Sequence, residues 1–269
     1  MLAPDPVKGL TAGRAFGPGE ARGDHRRQLD AITSALAVLG IPVATSAAGI
    51  EAARAAGSVA VLLSCEGGDF LDGRLEPLAE TRAAGASSLT LVHYRVNDIG
   101  DVQTEEPVHG GLTGFGREVV AECNRLGLIV DCAHATFATT LGVLAASSQP
   151  VMVSHSHLGE GPGSHPRLLN REHATAVAAA GGLIGAWPSG VVSSSLADFA
   201  GEVARLAEVV GPRHVGIGTD LDANYRPVLR SYADFARLPG LLGERGFSPA
   251  DIDDVLGGNA LRLLRTVAG

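Results

Sequence analysis

Five residues close apolar, β-branched runs in this chain: Glu66, His93, His134, His155 and Asp220. The clearest case is the stretch Leu128–Leu158. It reads LIVDCAHAT, then TFATTLGVLAASSQ, then PVMVSHSHL, so that two such runs stop at His134 and at His155. An apolar run of this length reads as a strand buried on both faces, and the alanine-rich segment between is long enough for a crossover helix. Two parallel strands joined in this way bring their C-terminal ends side by side. In a barrel of βα units those ends are where chemistry sits. A carboxylate at the end of an apolar strand is a costly residue to bury, so its presence asks for a reason. Imidazoles mixed with carboxylate oxygens suit Zn²⁺ and related transition metals. Such a metal lowers the pKa of water and polarises a carbonyl, which is hydrolytic chemistry.

The elements that would position these residues follow one after another. Leu29, Ile32, Leu36 and Leu39 recur at helical spacing from Asp24, and Gly40 supplies the stop. IPVATS reads as a short strand, Ile50–Ala56 as a helix, SVAVLLSCEGG as an apolar strand ending at Glu66, Leu75–Ala84 as a helix, and SSLTLVHY as a strand ending at His93. A polar loop with Asp98, Asp101, Glu105 and Glu106 is expected to be solvated, and Thr113–Leu126 to be helical. After His155 come a glycine-rich loop, a helix through Arg171–Ala180, the strand GGLIGAW, the helix Ala197–Val210 and the strand HVGIGTD. Ser248-Pro249 opens the last helix with a serine cap and proline at its first position. Alternation of this kind predicts parallel βαβ units and an α/β fold, a TIM-like (β/α)8 barrel. Residues 1–23 read as an irregular N-terminal arm and 24–269 as one domain.

Composition bounds the rest. The 269 residues are 45% hydrophobic but only 4% aromatic, which predicts an aliphatic, alanine-rich core. A formal charge of -8, with no basic stripe, argues against nucleic acid or an anionic membrane as partner. Three cysteines allow no even disulfide framework, and no run is long enough for a membrane span. A cytoplasmic location is therefore expected. Neither Cys65 nor Cys132 stands near a plausible base, so a cysteine nucleophile is not expected. Among other polar residues, His157 is a candidate extra metal ligand or substrate contact, with a solvated loop histidine as the alternative. His165 and His109 read as loop structure, and His173 and His214 as surface residues. Asp131 and Asp222 are possible orienting groups, and GEGPG at 159–163 a lid.

The segments EGG at Glu66, LTLVH at His93, GLTGFGREVVAECNRLGLIVDCAHAT, PVMVSHSH, HPR at Arg167, HVGIGTDLDA and GFSPADIDDVLGGNALRLL resemble the membrane (renal) dipeptidase family of zinc peptidases. The likeness runs from about residue 24 onward. It implies a metal-dependent hydrolase of dipeptidase type, in which metal-activated water attacks the amide bond of a dipeptide or similar small substrate with a free carboxylate. By the same resemblance Glu66 bridges two zinc ions, and His134 and His155 complete the second zinc site. Asp220 belongs to the first zinc site and handles the proton of the attacking water. His93 steadies the tetrahedral intermediate, and Arg167 grips the substrate carboxylate. Members of the family often form homodimers.

The chain also departs from the pattern. The family opens with a strand ending in an Asp-x-His-x-Asp type motif that supplies two ligands of the first zinc, and this chain has nothing of that form. Asp24 and His25 are adjacent and helical, so they point about 100° apart and replace it poorly. One zinc site is then expected to be complete, and the first to keep only Glu66 and Asp220. Leu168 stands where the family commonly has Asn. The competing reading is a catalytically altered or inactive protein on the same fold, a scaffold or a specialised-metabolite enzyme, with one metal or none.

Overall fold

The computed structural model describes residues 2–5, 9–159, 161, 163–221 and 224–269, with side chains from residue 13 onward. Two short strands, β1 (Leu2–Asp5) and β2 (Gly9–Ala12), pair with each other. The first helix, α1 (Glu20–Leu39), starts before Asp24. Among its described residues, the stretch expected to be irregular thus holds two strands and the first turn of a helix. Six strands then follow in chain order, β3 (Leu63–Glu66), β4 (Ala86–Thr90) and β5 (Ile129–Asp131) as parallel neighbours, and β6 (Met152–Ser156), β7 (Leu183–Ala186) and β8 (Val215–Ile217) likewise. This is the α/β class that the alternation predicts.

By its internal contacts the chain divides into two compact units, one comprising Leu10–Pro150 with Leu264–Gly269 and the other Val151–Leu263. The first unit holds α1, α2 (Ala47–Ala55), β3, α3 (Glu76–Ala83), β4, α4 (Gly114–Leu126), β5 and α5 (Phe137–Ala146). Its strands β4 and β5 are buried at every residue, and the polar side chains among them are hydrogen bonded: the Ser88 hydroxyl donates to Ser64 and the Thr90 hydroxyl to Asp131. Leu71, Leu78, Leu89 and Leu91 are fully buried around them, each contributing about 2 kcal/mol through lost apolar surface. Helix α5 is the expected crossover. Its N-cap Thr136 accepts from the Thr139 N–H, which satisfies one of the free donors of the first turn. Thr136→Val is expected to cost about 1 kcal/mol and lower Tm by a few degrees in a thermal melt.

The second unit holds β6, α6 (Arg171–Ala179), β7, α7 (Leu196–Val210), β8, α8 (Leu238–Gly243) and α9 (Pro249–Asp253). Ser248 caps α9 and Pro249 opens it, as expected. The helix is short, however, and a kink at Gly257 separates it from α10 (Asn259–Ala268). Strands β6 and β7 shift register between Val153 and Ser156, so His155 lies in an irregular part of the ladder. Irregularities of this kind re-aim a side chain next to a functional site.

Three expectations need correction. IPVATS makes no strand, only a single bridge from Val43 to Val61, because Pro42 and the turn into α2 leave too few residues for a ladder. On α1 only Leu36 is buried, while Ile32 and Leu39 are 45% and 68% exposed. The helix lies beside an open cavity of about 1070 Å³ that Leu29 and Ile32 line from one side and Val61–Glu66 from the other. The carboxylate-rich loop is not simply solvated. Asp101 is fully buried and accepts from the N–H groups of Val108, His109 and Gly111, while Glu105 accepts from Val96.

Candidate metal centre and substrate site

In the first unit, three of the candidate residues meet. Glu66 ends β3, whose burial alternates so that Leu63 and Cys65 turn inward and Ser64 and Glu66 outward. The glycines after it are needed. Gly67 has φ 97°, and a Cβ on Gly68 would lie 2.3 Å from Ile99 and 2.9 Å from the Leu91 carbonyl. His134 stands three residues beyond β5 in left-handed backbone, φ 67°, with its carbonyl held by the Gln103 N–H. Its Nε2 lies 3.0 Å from Glu66 Oε1. His93, three residues beyond β4, brings its Nε2 to 3.5 Å from the same oxygen. The two imidazoles meet edge to face at 4.5 Å between centroids. Tyr94 packs against both rings, at 4.0 Å from His93 and 6.0 Å from His134.

In the second unit, His155 is buried and its Nδ1 is 2.9 Å from the Ser154 hydroxyl. Arg167 is 94% buried in side-chain surroundings that its loop fixes on both sides. The Ser156 hydroxyl donates to its carbonyl, and its N–H donates to His165 Nδ1. Its guanidinium lies over the Trp187 ring, 5.8 Å from the centroid, and the His155 ring is 6.1 Å from the same indole. Asp220, three residues beyond β8, adopts left-handed backbone with φ 47°. Left-handed backbone at a residue other than glycine costs about 1 kcal/mol or more; Asp72 and Arg226 share it, and at His134 and Asp220 it falls on strand-end candidates.

Several residues are placed differently from expectation. His157 is fully buried, packed edge to face on Phe199 at 5.9 Å, with neither ring nitrogen hydrogen bonded to a described side chain. A substrate contact for it is therefore withdrawn. Burial pushes its pKa down to about 3, helped by the charge of Arg205. His173 is also buried rather than on the surface, and burial pushes it down to about 4. His214 is half-buried and bonds the Gly182 carbonyl. Asp131 accepts from the Thr90 hydroxyl and the Ala133 N–H, bonds that hold the strand end. Asp24 and His25 are engaged elsewhere: Asp24 accepts from Arg27 and Gln28, while His25 stacks on Phe70 at 3.8 Å and bonds Thr81. Asp222 lies outside the described residues, as do Glu160 and Pro162 of the expected lid. Cys65 and Cys123 are buried and pushed up to about 11 and 12, so they are poor nucleophiles.

Two buried histidines with depressed pKa values set a pH dependence. Between their folded values and the unfolded value near 6.5 the unfolded chain binds more protons, so stability falls as pH drops below about 6.5. The expected slope approaches about 1.4 kcal/mol per pH unit for each histidine. Denaturant melts from pH 7 to 5 check this, and His157→Phe should flatten the curve.

Sequence reasoning missed Trp187 and Tyr94. The available signal was that the only tryptophan of the chain ends the apolar run GGLIGAW, and that Tyr94 directly follows a strand-end histidine.

An α/β fold with imidazoles and carboxylates at its strand ends has the donor types that metal-dependent hydrolases use. The comparisons narrow this class. The profile of the membrane dipeptidases, peptidase family M19, matches residues 18–269, and the chain belongs to that family. It is 32% identical over 228 residues to dipeptidase aclJ of Aspergillus oryzae, covering 78% of this chain and 52% of that one. It is 31% identical to dipeptidase 3 of Rattus norvegicus, covering 84% and 48% respectively. The chain thus spans about half the length of the curated relatives it matches. An amidohydrolase structure from Pseudomonas aeruginosa superposes with TM-score 0.82 at 25% identity, covering 90% of this chain and 84% of that one. A metallopeptidase from Rhodobacter sphaeroides, liganded with a phosphinate mimic of the dipeptide L-Ala-D-Ala, superposes with TM-score 0.75 at 23% identity, covering 84% and 69%. No helix among the described residues is long and apolar enough to cross a membrane.

Proposed function

We propose that the chain is a metal-dependent dipeptidase, with residues 24–269 acting as one hydrolase domain. The observation that carries this reading is the Glu66 carboxylate drawn to the imidazoles of His134 and His93 at the ends of adjacent strands. Glu66 and His134 would supply two metal ligands, an exposed carboxylate and a buried imidazole, and by the family resemblance His155 would be the third. That donor set fits Zn²⁺, which takes carboxylate oxygen and imidazole nitrogen and leaves a position for water. Bound there, zinc would supply Lewis acidity toward water and a carbonyl. Arg167 would hold the free carboxylate of a dipeptide, its fork matching two oxygens. His93 would donate to the developing oxyanion. Asp220, aimed by its left-handed backbone, would take the proton of the attacking water and return it to the leaving amine. Three free, buried cysteines support a reducing compartment such as the cytoplasm.

The alternative is a protein of the same fold with altered chemistry or none, holding one metal or an empty site. What favours it is the engagement of Asp24 and His25 in helix packing, which leaves the first metal without its usual pair. Metal content per chain, measured by plasma mass spectrometry on protein purified without added metal, separates the two. About one equivalent together with dipeptide hydrolysis supports the proposal. No metal after reloading with zinc would sink it.

A further inference from the structure

The side chain of Arg95 stands out among the charged groups of the first unit. Its Nη1 is buried and has no hydrogen-bond partner, and none of its nitrogens pairs with a described carboxylate or carbonyl. Other arginines in the same region are satisfied: Arg14 pairs with Glu20, and Arg22 donates to the carbonyls of Phe70 and Leu71. A guanidinium nitrogen buried without a partner is costly, and an anion that reaches the group from the cavity stabilises it. Arg95 lines the cavity of about 1070 Å³ that Glu66, His93 and Tyr94 also line, and it lines the neighbouring cavity of about 370 Å³ as well. The larger volume accommodates a dipeptide with room for a long side chain. Asp69 shares both walls and is close enough to feel the Arg95 charge, but it forms no ion pair with it.

We propose that Arg95 reads a second carboxylate of the substrate, so that this site prefers dipeptides with an acidic side chain. The inference rests on the dipeptidase reading for its substrate class, and on the unpartnered guanidinium for its charge. Arg95 then determines specificity for the side chain, and the terminal carboxylate is held by another group. A bidentate guanidinium-carboxylate contact distinguishes an acid from its isosteric amide by about tenfold or more.

The test compares Glu-Ala with Gln-Ala, and Ala-Glu with Ala-Gln, on the wild-type chain and on Arg95→Met and Arg95→Lys. Binding is measured by calorimetry and turnover by amine release. In at least one pair, the wild type should bind the acid about tenfold or more tightly than the amide and show the same preference in kcat/KM. Arg95→Met should bring that ratio close to one while leaving binding of the amide within about threefold. Arg95→Lys should keep part of the preference, because it keeps the charge and loses the fork. Equal affinity for acid and amide in the wild type, or equal loss of both in Arg95→Met, would overturn the assignment. If no dipeptide is hydrolysed, the dipeptidase reading fails, yet the binding ratio still decides the role of Arg95.

Discussion

Glu66→Gln should leave the fold intact and remove most of the metal, with dipeptide hydrolysis falling by at least about a thousandfold. The substitution keeps the volume and one carbonyl oxygen but removes the charge that faces His134 and His93. A neutral amide is a weak partner for a dication, and its NH₂ group presents donors where acceptors are needed. Because Glu66 is partly exposed at the end of β3, the swap leaves no charge buried without its partner. Stability of the metal-free protein should therefore change by no more than about 0.5 kcal/mol. His134→Ala should lose metal to the same extent but should also destabilise the chain, because its imidazole is packed against His93 and Tyr94. Metal content, kcat/KM and a denaturant melt on the same preparations check these outcomes together. Unchanged turnover in Glu66→Gln would remove this carboxylate from the chemistry.

The second large effect is one of stability. Asp101→Ala should destabilise the protein by about 4 kcal/mol and lower Tm by roughly 10 °C in a thermal melt. Three N–H donors, from Val108, His109 and Gly111, converge on this fully buried carboxylate and would be left without an acceptor. The Asp101 carbonyl also receives the Thr136 N–H, at the cap of α5. Burial alone would raise the pKa of Asp101, but the N–H donors from His109, Val108 and Gly111 outweigh it and hold it below the ordinary value. The sign follows: its contribution is present above the ordinary carboxylate range and is lost as pH falls through the lower folded value. Asp101 therefore adds an acid-side loss below about pH 4, separate from the histidine slope that begins near 6.5. Asp101→Asn should recover only part of the loss, since the amide offers one acceptor oxygen for three donors.

Much of this was readable in the sequence, for physical reasons. Strands buried on both faces are dominated by apolar and small residues, so β4, β5 and β7 announce themselves even with Ser87, Ser88 and Thr90 inside β4. Helix ends were legible through capping chemistry, as at Ser248, Thr113 and Gly127. What was not legible depends on the third dimension. Periodicity gave α1 an inward stripe of four residues, yet only Leu36 found a neighbour to bury it, because a stripe says nothing about what it faces. His155 and His157 are two residues apart and would share one face of a regular strand. The irregular register and the end of β6 at Ser156 separate them, and His157 goes into the packing against Phe199. Asp101 looked like its solvated neighbours because composition cannot tell a carboxylate facing water from one tying a loop. The orphaned edge of Arg95 could not be seen either, since a missing partner is a property of the folded chain.

The left-handed backbone at His134 and Asp220 bears on how this chain can change over generations. Glycine adopts that conformation without strain, so at either position it would make the backbone easier to form by about 1 kcal/mol. At His134 that relief is offset by the packing lost against His93 and Tyr94, so backbone strain alone does not decide which residue a drifting lineage would keep there. A chain that keeps an imidazole and a carboxylate there bears a standing cost in foldedness. Substitutions that add stability elsewhere would widen the range of changes it can accept around the same two side chains.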